Sequence, residues 1–180
     1  MHIVYFENID NVNQEDSNKK EEETFFSYSV EGARVEWKWS EDGCKYVINE
    51  PVLSDKEKEV VNKLINEVSG LYLSVDSQIE YVMTKLNKYF KNEDVERAKN
   101  WVNKRVGYGE ITVPLLDHNV EEIECIGPGF PITVVLRNSK ICMRAVTNIV
   151  LPTEEDVRAV VERLAVRSNK PLNLAKPYLE

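Results

Sequence analysis

The sequence predicts an α+β protein in which a β meander comes first, a three-helix bundle follows, and a small α/β part closes the chain. Apolar residues alternate with polar ones through the first fifty residues, recur at helical spacing over the next fifty, and alternate again after Gly107. With 180 residues, 42% of them hydrophobic, the chain can bury one large core or two small ones. We predict boundaries at 1–53, 54–106 and 107–180.

Short strands fill the first part. The strand-like segments are HIVYF, TFFSYSVE, ARVEWKW and CKYVINE, separated by a polar loop, by Gly32 and by SEDG. In the third segment Val35, Trp37 and Trp39 alternate with charged residues, which is typical of a strand with one wet face. The two tryptophans could form a ligand platform, but we predict that they lie in the core, where aromatic residues on an apolar strand face are usually found.

Three amphipathic patterns predict the helical bundle. Ser54 and Glu57 have the spacing of a capping box before the first helix, and Gly70 suits its C-terminal cap. A third helix starts near Asn92 and ends at Gly107. Short loops join the helices, so we expect them to pack together. The apolar stripes are Val60, Val61, Leu64, Ile65 and Val68, then Ile79, Val82, Met83, Leu86 and Phe90, then Val95, Ala98 and Val102.

Strands return in the last part and are followed by one helix. VEEIECI and ITVVLRNSKICMRAV read as strands, the latter folded into a hairpin at Asn138 and Ser139. Thr153 is the expected N-cap of a helix with acidic residues in its first turn. Its predicted buried stripe is Val157, Val160, Val161 and Leu164. The final KPLNLAKPYLE adds no closing element, so we expect the sequence to be a piece of a longer protein.

The charge distribution argues against nucleic acid as a partner. Residues 1–50 hold 12 of the 31 acidic and 5 of the 23 basic residues, so most of the net charge of −8 lies there. Nucleic-acid affinity rests mainly on Lys and Arg, which are not in excess. We interpret NQEDSNKKEEE as a solvated loop. The sequence has neither a signal peptide nor a long apolar run, so we expect a cytoplasmic location.

Residue chemistry does not predict an enzyme. The three cysteines, Cys44, Cys125 and Cys142, are widely spaced and lack a CxxC, so we expect buried thiols, with no zinc site or disulfide framework. Nucleophilic catalysis would need a histidine base, and His2 and His118 lie at the chain start and in a polar turn.

The acidic run and the glycine-rich turn are not predicted to be active sites either. Glu121, Glu122 and Glu124 are expected on the solvated faces of a strand. A Walker loop needs GxxxxGK[ST], but the chain has no Gly-Lys pair, and Pro128 removes a donor from GPGFP. We interpret GPGFP as a turn between strands.

A family resemblance lies in the same region. Residues 107–138 resemble the segment that precedes the ATPase core in the type II/type IV secretion and pilus ATPase superfamily, whose usual form is YG-x-L-x-PLL-x-D-x-x-[VI]-E-[ED]-I…G…V-x-V. Upstream, YVINEPVLSDKE is similar to the start of the helical part in archaeal members, so the resemblance covers roughly 45–180. The matching positions are Tyr108, Gly109, Pro114, Leu115, Leu116, Val120, Glu121, Glu122, Ile123 and Gly127.

Two departures from the family pattern are visible. Asp117 is followed by His118 and Asn119 where the family usually has Asp-Pro. The sequence also stops at Glu180, before the family's LPDG-x-R stretch and its Walker motifs. The resemblance therefore implies an N-terminal domain without the RecA-like core, in a hexamer that couples ATP hydrolysis to filament assembly. The implied partners are that core, a membrane platform protein and regulatory proteins, with ATP and magnesium bound by the core.

The resemblance also implies which basic residues would reach nucleotide. Arg163 and Arg167, at i and i+4 on the last helix, could point together at an anion held by the core, with Lys170 just beyond. Arg137 and Arg144 are weaker candidates. The alternative for Arg163 and Arg167 is that they are surface charges that offset Glu162 and the dipole at the C-terminal end of the helix.

Two other classes of protein compete with this interpretation. One is a free-standing adaptor that binds a peptide or a cytoplasmic tail. The other is a small-molecule sensor, suggested by the loose likeness of the final α/β part to PAS-like sensory folds. No pocket residue in the sequence argues for a sensor.

Overall fold

One mixed β-sheet organises the molecule. The structure is a computed structural model that describes residues 23–137 and 142–167. In these residues the sheet has the strand order β1-β2-β3-β6-β5-β4. The strands are β1 (Glu23–Val30), β2 (Ala33–Ser40), β3 (Gly43–Asn49), β4 (Val120–Glu124), β5 (Pro131–Leu136) and β6 (Arg144–Val150). All neighbours are antiparallel except β3 and β6, which are parallel. The predicted α+β class is confirmed.

The N-terminal meander is present as β1, β2 and β3, whereas HIVYF at 2–6 lies outside the described residues. Trp37 is buried as predicted, but the prediction that Trp39 lies in the core is wrong, since it is 42% exposed. Trp39 stands next to the last residue of β2, and its ring packs against Phe25 with centroids 5.6 Å apart. Strand alternation places it on the apolar face but does not provide a cover at the strand end.

The predicted three-helix bundle is formed by α1 (Asp55–Ser69), α2 (Val75–Leu86) and α3 (Asn92–Val102). The capping box is confirmed, because the Ser54 hydroxyl accepts from the Glu57 N–H (3.3 Å) and Glu57 Oε2 accepts from the Ser54 N–H (2.7 Å). Gly70 is the C-cap of α1. The bundle core comprises Leu53, Val61, Leu64, Val68, Val82, Leu86, Val95, Ala98 and Val102.

The third helix is shorter than predicted. It gives way after Val102 to a π-helical turn (Asn103–Tyr108), a 3-10 turn (Gly109–Ile111) and the short helix α4 (Thr112–Leu116). The backbone of Gly107 is not helical (φ −89°, ψ −115°). The chain thus changes direction after Val102, within residues that were predicted to be the last turns of one continuous helix.

The meander is fixed to the bundle by the turn between β1 and β2. Glu31 (φ 47°) and Gly32 (φ 80°) form this turn, and a Cβ on Gly32 would lie 2.2 Å from the carbonyl oxygen of Glu96 in α3. Only glycine allows so close an approach. The Glu31 carboxylate also accepts from Asn103 Nδ2 (2.8 Å) and pairs with Lys99 (3.1 Å).

The final helix, α5 (Glu154–Arg167), begins where the sequence predicts. The Thr153 hydroxyl accepts from the Asp156 N–H (3.2 Å), as expected of an N-cap. Val161, predicted to be buried, is 36% exposed. Periodicity identifies the apolar face of a helix but not how much of that face its neighbours cover. The antiparallel pairing of β5 with β6 confirms the hairpin, although Asn138 and Ser139 lie outside the described residues.

The prediction of three buried thiols is confirmed for the burial of Cys44 and Cys142, wrong for their thiol state, and wrong for the burial of Cys125. Cys44 in β3 and Cys142, two residues before β6, form a disulfide with Cα atoms 6.1 Å apart, and Cys125 is an exposed free thiol. The two bonded residues are separated by 98 positions in sequence. They meet because β3 and β6 are neighbours in the sheet, which cysteine spacing does not reveal.

Candidate functional site

The predicted site residues on α5 lie against the segment that links the bundle to α4. Arg163 donates Nη1–H to the carbonyl oxygen of Lys104 (3.1 Å). Its guanidinium also lies close to Gly109, since a Cβ built there would be 3.4 Å from Arg163 Nη1. Gly109 has φ 69° and ψ −139°, a conformation that L residues rarely adopt. Gly109, the second glycine of the Gly-Tyr-Gly motif, thus allows the backbone to turn here and leaves space for the Arg163 guanidinium.

Arg167 lies on the other side of the same motif. Its guanidinium carbon is 4.0 Å from the centroid of the Tyr108 ring, and Nη2 pairs with the Asp76 carboxylate of α2. The Arg167 side chain is 12% exposed. This stacked and paired arrangement connects α5 to the bundle.

The two arginines line different cavities. Arg167 borders a cavity of about 300 Å³ that also contains Glu31, Asp76 and Tyr108. Arg163 borders a separate cavity of about 350 Å³, which we call the arginine pocket. Their i, i+4 spacing would allow both arginines to point at one anion, but in the structure they border different cavities. The arginine pocket is lined by Trp101, Lys104, Arg105, Gly109, Glu110 and Arg163.

Charge in the arginine pocket is partly balanced. Lys104 Nζ pairs with Glu50 (2.8 Å) and Glu110 (2.6 Å). Burial alone would lower the pKa of Lys104, but its hydrogen bonds to Glu110 and Glu50 outweigh that effect and raise the pKa. Arg105 lies over the Trp101 ring at 4.9 Å. Neither Arg105 nor Arg163 has a carboxylate partner within the described residues, so both remain available to an anion.

The remaining basic candidates lie elsewhere. Arg144 at the start of β6 pairs with Glu124 of β4 (2.6 Å), and the exposed Arg137 follows β5. Lys170 lies outside the described residues. Of the five arginines and lysines predicted from sequence, the structure places Arg163 in the arginine pocket. Sequence reasoning missed Trp101, Lys104 and Arg105, whose signal was the run W-x-x-K-R before the Gly-Tyr-Gly motif.

A second polar cluster surrounds Asp117 and was also missed. This carboxylate is 5% exposed, and its Oδ2 accepts from the hydroxyls of Tyr28 and Tyr46, the latter at 2.6 Å. Its Oδ1 accepts from the Asn119 N–H at 2.8 Å. Trp37 Nε1 donates to the Tyr28 hydroxyl (3.1 Å). The cluster ties β1, β2 and β3 to the loop before β4, and we assign it a structural role.

The tyrosines of this cluster are expected to make the stability of the protein depend on pH. Burial and the neighbouring Asp117 carboxylate raise the pKa of both Tyr28 and Tyr46 above the usual value. Above pH about 10 the unfolded chain loses these protons while the folded chain retains them, so the free energy of unfolding should fall as pH rises. Urea unfolding at a series of alkaline pH values tests this. The double variant Tyr28→Phe, Tyr46→Phe should flatten the dependence, whereas Tyr89→Phe, at an exposed residue, should not. Equal slopes for both variants would contradict the assignment.

The acidic and histidine candidates are solvent-facing. His118, Glu121 and Glu122 are exposed, and Glu124 is occupied by Arg144. In residues 23–137 and 142–167 no cluster of three or more His, Cys, Asp or Glu side chains is arranged to hold a metal. Within the same residues, no helix combines the length and apolar character needed to cross a bilayer.

The fold and site define an α+β protein with a solvent-facing arginine pocket, and comparison with known proteins adds one relative. No protein-family model matches the sequence. The chain is similar to the uncharacterized protein MJ1288 of Methanocaldococcus jannaschii, with 29% identity over 150 residues that cover 76% of this chain. It spans 58% of the length of that relative.

Proposed function

We propose that this chain is the N-terminal, partner-facing and regulatory domain of a hexameric secretion or type IV pilus assembly ATPase. The proposal rests on the motif resemblance across residues 107–138 and on the arginine pocket. The observation that carries it is the pair of guanidinium groups, Arg105 and Arg163, that the described residues leave without a carboxylate partner. In such a machine the pocket would face nucleotide that the RecA-like core holds together with magnesium.

The pocket suits a phosphate that arrives from outside. Charge-assisted hydrogen bonds are worth about 1.5 to 3 kcal/mol each, and a bidentate guanidinium adds directional preference. One guanidinium nitrogen of Arg163, Nη1, donates to the Lys104 carbonyl oxygen, and Gly109 leaves room beside the guanidinium. The arginine is therefore positioned but not neutralised, which is what a residue acting on another domain's ligand requires.

The other partners follow from the same proposal. Six copies would form a ring through their cores, and movement of the N-terminal domains against the cores would drive filament assembly at a membrane platform protein. The chain would then work at the cytoplasmic side of the membrane. It would bind no nucleic acid and no cofactor of its own, and regulatory proteins would be additional partners.

The test compares the 180-residue chain with the product of the complete gene. We expect no ATP hydrolysis by the chain alone and hydrolysis by the complete product. In the complete product, Arg163→Ala and Arg105→Ala should each lower the turnover rate about tenfold or more, the loss of one charge-assisted contact to phosphate. Arg167→Ala should act mainly on stability, because Arg167 is already engaged by Tyr108 and Asp76.

The matched control is Arg158→Ala. Arg158 is an exposed arginine of the same helix that does not line the pocket. Unchanged turnover for both Arg163→Ala and Arg105→Ala, with normal folding by circular dichroism, would exclude the pocket from catalysis. ATP hydrolysis by the chain alone would overturn the proposal as a whole.

A free-standing interaction module is the alternative, and the half-exposed apolar face of α5 favours it. A complete gene that ends close to Glu180 would support this alternative. A gene that continues into a sequence with Walker motifs would support the ATPase domain.

A further inference from the structure

Helix α5 leaves much of its apolar stripe uncovered. Val157 and Val160 are half-buried and Val161 is exposed. In the stripe of α1, Val61, Leu64 and Val68 are 0 to 3% exposed, and Val60 and Ile65 are half-buried. A helix normally buries its apolar face against a neighbouring element. The described residues thus bury three residues of the α1 stripe fully, whereas no residue of the α5 stripe is fully buried by them.

The uncovered stripe borders an apolar groove. This cavity of about 450 Å³ lies between α5 and the chain from α4 to β4, and we call it the α5 groove. Its floor includes Ile132 of β5 and Leu151, which follows β6. Pro114, Leu115 and Ile123 line it together with Val160 and Val161. The groove therefore lies over the β4 side of the sheet, where α5 does not close the helical layer.

Charge at the α5 groove has one sign. Its charged lining residues are Glu121 and Glu122 of β4, both exposed and without an ion-pair partner within the described residues. No lysine, arginine or histidine lines it. An apolar floor with an acidic rim is complementary to a surface that has apolar residues flanked by basic ones.

We propose that the α5 groove binds an amphipathic helix of a partner protein, with the apolar stripe of that helix on Val160 and Val161 and its lysines or arginines beside Glu121 and Glu122. A helix laid next to α5 completes the layer over the sheet, as helix-in-groove complexes do. A second copy of this chain is a poorer occupant, because groove-to-groove pairing would bring the same carboxylates together. The inference does not depend on the proposed ATPase role.

The test uses three synthetic peptides of about 18 residues, long enough to run beside the 14 residues of α5. One is a leucine-lysine helix with a single leucine face. The second keeps that face and replaces lysine with glutamate, and the third keeps the lysines and shuffles the leucines. By calorimetry with the 180-residue chain, the first should bind at least about tenfold more tightly than the other two. Equal binding by the shuffled peptide would overturn the proposal, since it would show attraction to acidic charge alone.

Variants locate the binding to the groove. Val161→Asp and Leu115→Asp, both at partly exposed positions, should each weaken binding of the leucine-lysine helix about tenfold. Val166→Asp is the matched control, because Val166 is 72% exposed on the same helix and does not line the groove. The double variant Glu121→Gln, Glu122→Gln should reduce both the affinity and its salt dependence. Undiminished binding by folded Val161→Asp protein would contradict the proposal, as would a dimer in solution that this substitution dissociates.

Discussion

Loss of the Cys44–Cys142 disulfide is expected to lower the free energy of unfolding by about 4 to 5 kcal/mol in the chain-entropy model. The size of the effect comes from the 98-residue separation of the two cysteines, since a cross-link over a long loop removes much of the freedom of the unfolded chain. The bond also joins the two antiparallel halves of the sheet, next to the parallel β3 and β6 pair. Urea unfolding with and without a reducing agent measures the difference.

A thiol count decides whether the bond is present. The denatured, unreduced chain should show one reactive thiol, Cys125, out of the three cysteines in the sequence. Cys44→Ala should expose a second thiol, that of Cys142, and lower stability as reduction does. Cys125→Ser is the control and should leave stability nearly unchanged, as for most surface substitutions. Three reactive thiols before reduction would refute the assignment.

Asp117→Ala is expected to destabilise the protein by about 3 kcal/mol or more, because each buried donor that loses its acceptor costs about 1 to 3 kcal/mol. The substitution removes the acceptor of two tyrosine hydroxyls, those of Tyr28 and Tyr46, and of the Asn119 N–H. A buried donor without an acceptor carries its full desolvation cost. Because β1, β3 and the loop before β4 all meet at Asp117, the loss should reduce cooperativity as well as the midpoint of urea unfolding.

The neighbouring residue provides the control for this experiment. His118 is exposed, so His118→Ala should change the free energy of unfolding by less than about 0.5 kcal/mol. Tyr46→Phe should cost less than Asp117→Ala, because the carboxylate keeps its other donors. If Asp117→Ala and His118→Ala are equally stable, the cluster does not hold the halves of the sheet together.

Local features of the fold follow from sequence because their causes are local. The capping box at Ser54 and Glu57 and the N-cap at Thr153 involve residues three apart, so their spacing alone predicts two helix starts. The strand alternation in 33–40 likewise predicts the orientation of Val35 and Trp37. These are the parts of the α+β prediction that the structure confirms most directly.

Features that depend on contacts between residues far apart in the sequence could not be predicted from it. The order of β3 and β6 in the sheet, the disulfide beside them and the hydroxyl donors of Asp117 all join residues about 70 or more positions apart. Alternation assigns a face to each strand but no neighbour. Trp39 and Val161 show the same limit, since an apolar periodicity predicts which side is apolar and not whether anything covers it.

The sequence predicts that Arg163 and Arg167 lie on one side of α5, but it does not predict which other residues they contact. The i, i+4 spacing of Arg163 and Arg167 places both on one side of α5, and both do contact the 104–109 segment. They border two different cavities because Arg167 stacks on the ring of Tyr108, whereas Arg163 does not. Arg105 and Trp101 belong to the pocket because the chain turns at Gly107 and Gly109, which a helical interpretation of that stretch does not reveal.

The parallel pairing of β3 with β6 also has a consequence for how the protein is made. During synthesis β3 leaves the ribosome roughly a hundred residues before its partner, and long-range pairing of this kind folds slowly. The bundle, whose contacts are local, can form in that interval while one edge of β3 still lacks its strand. An unpaired edge is a template for pairing with other chains. The nascent protein is therefore most exposed to aggregation just before β6 emerges.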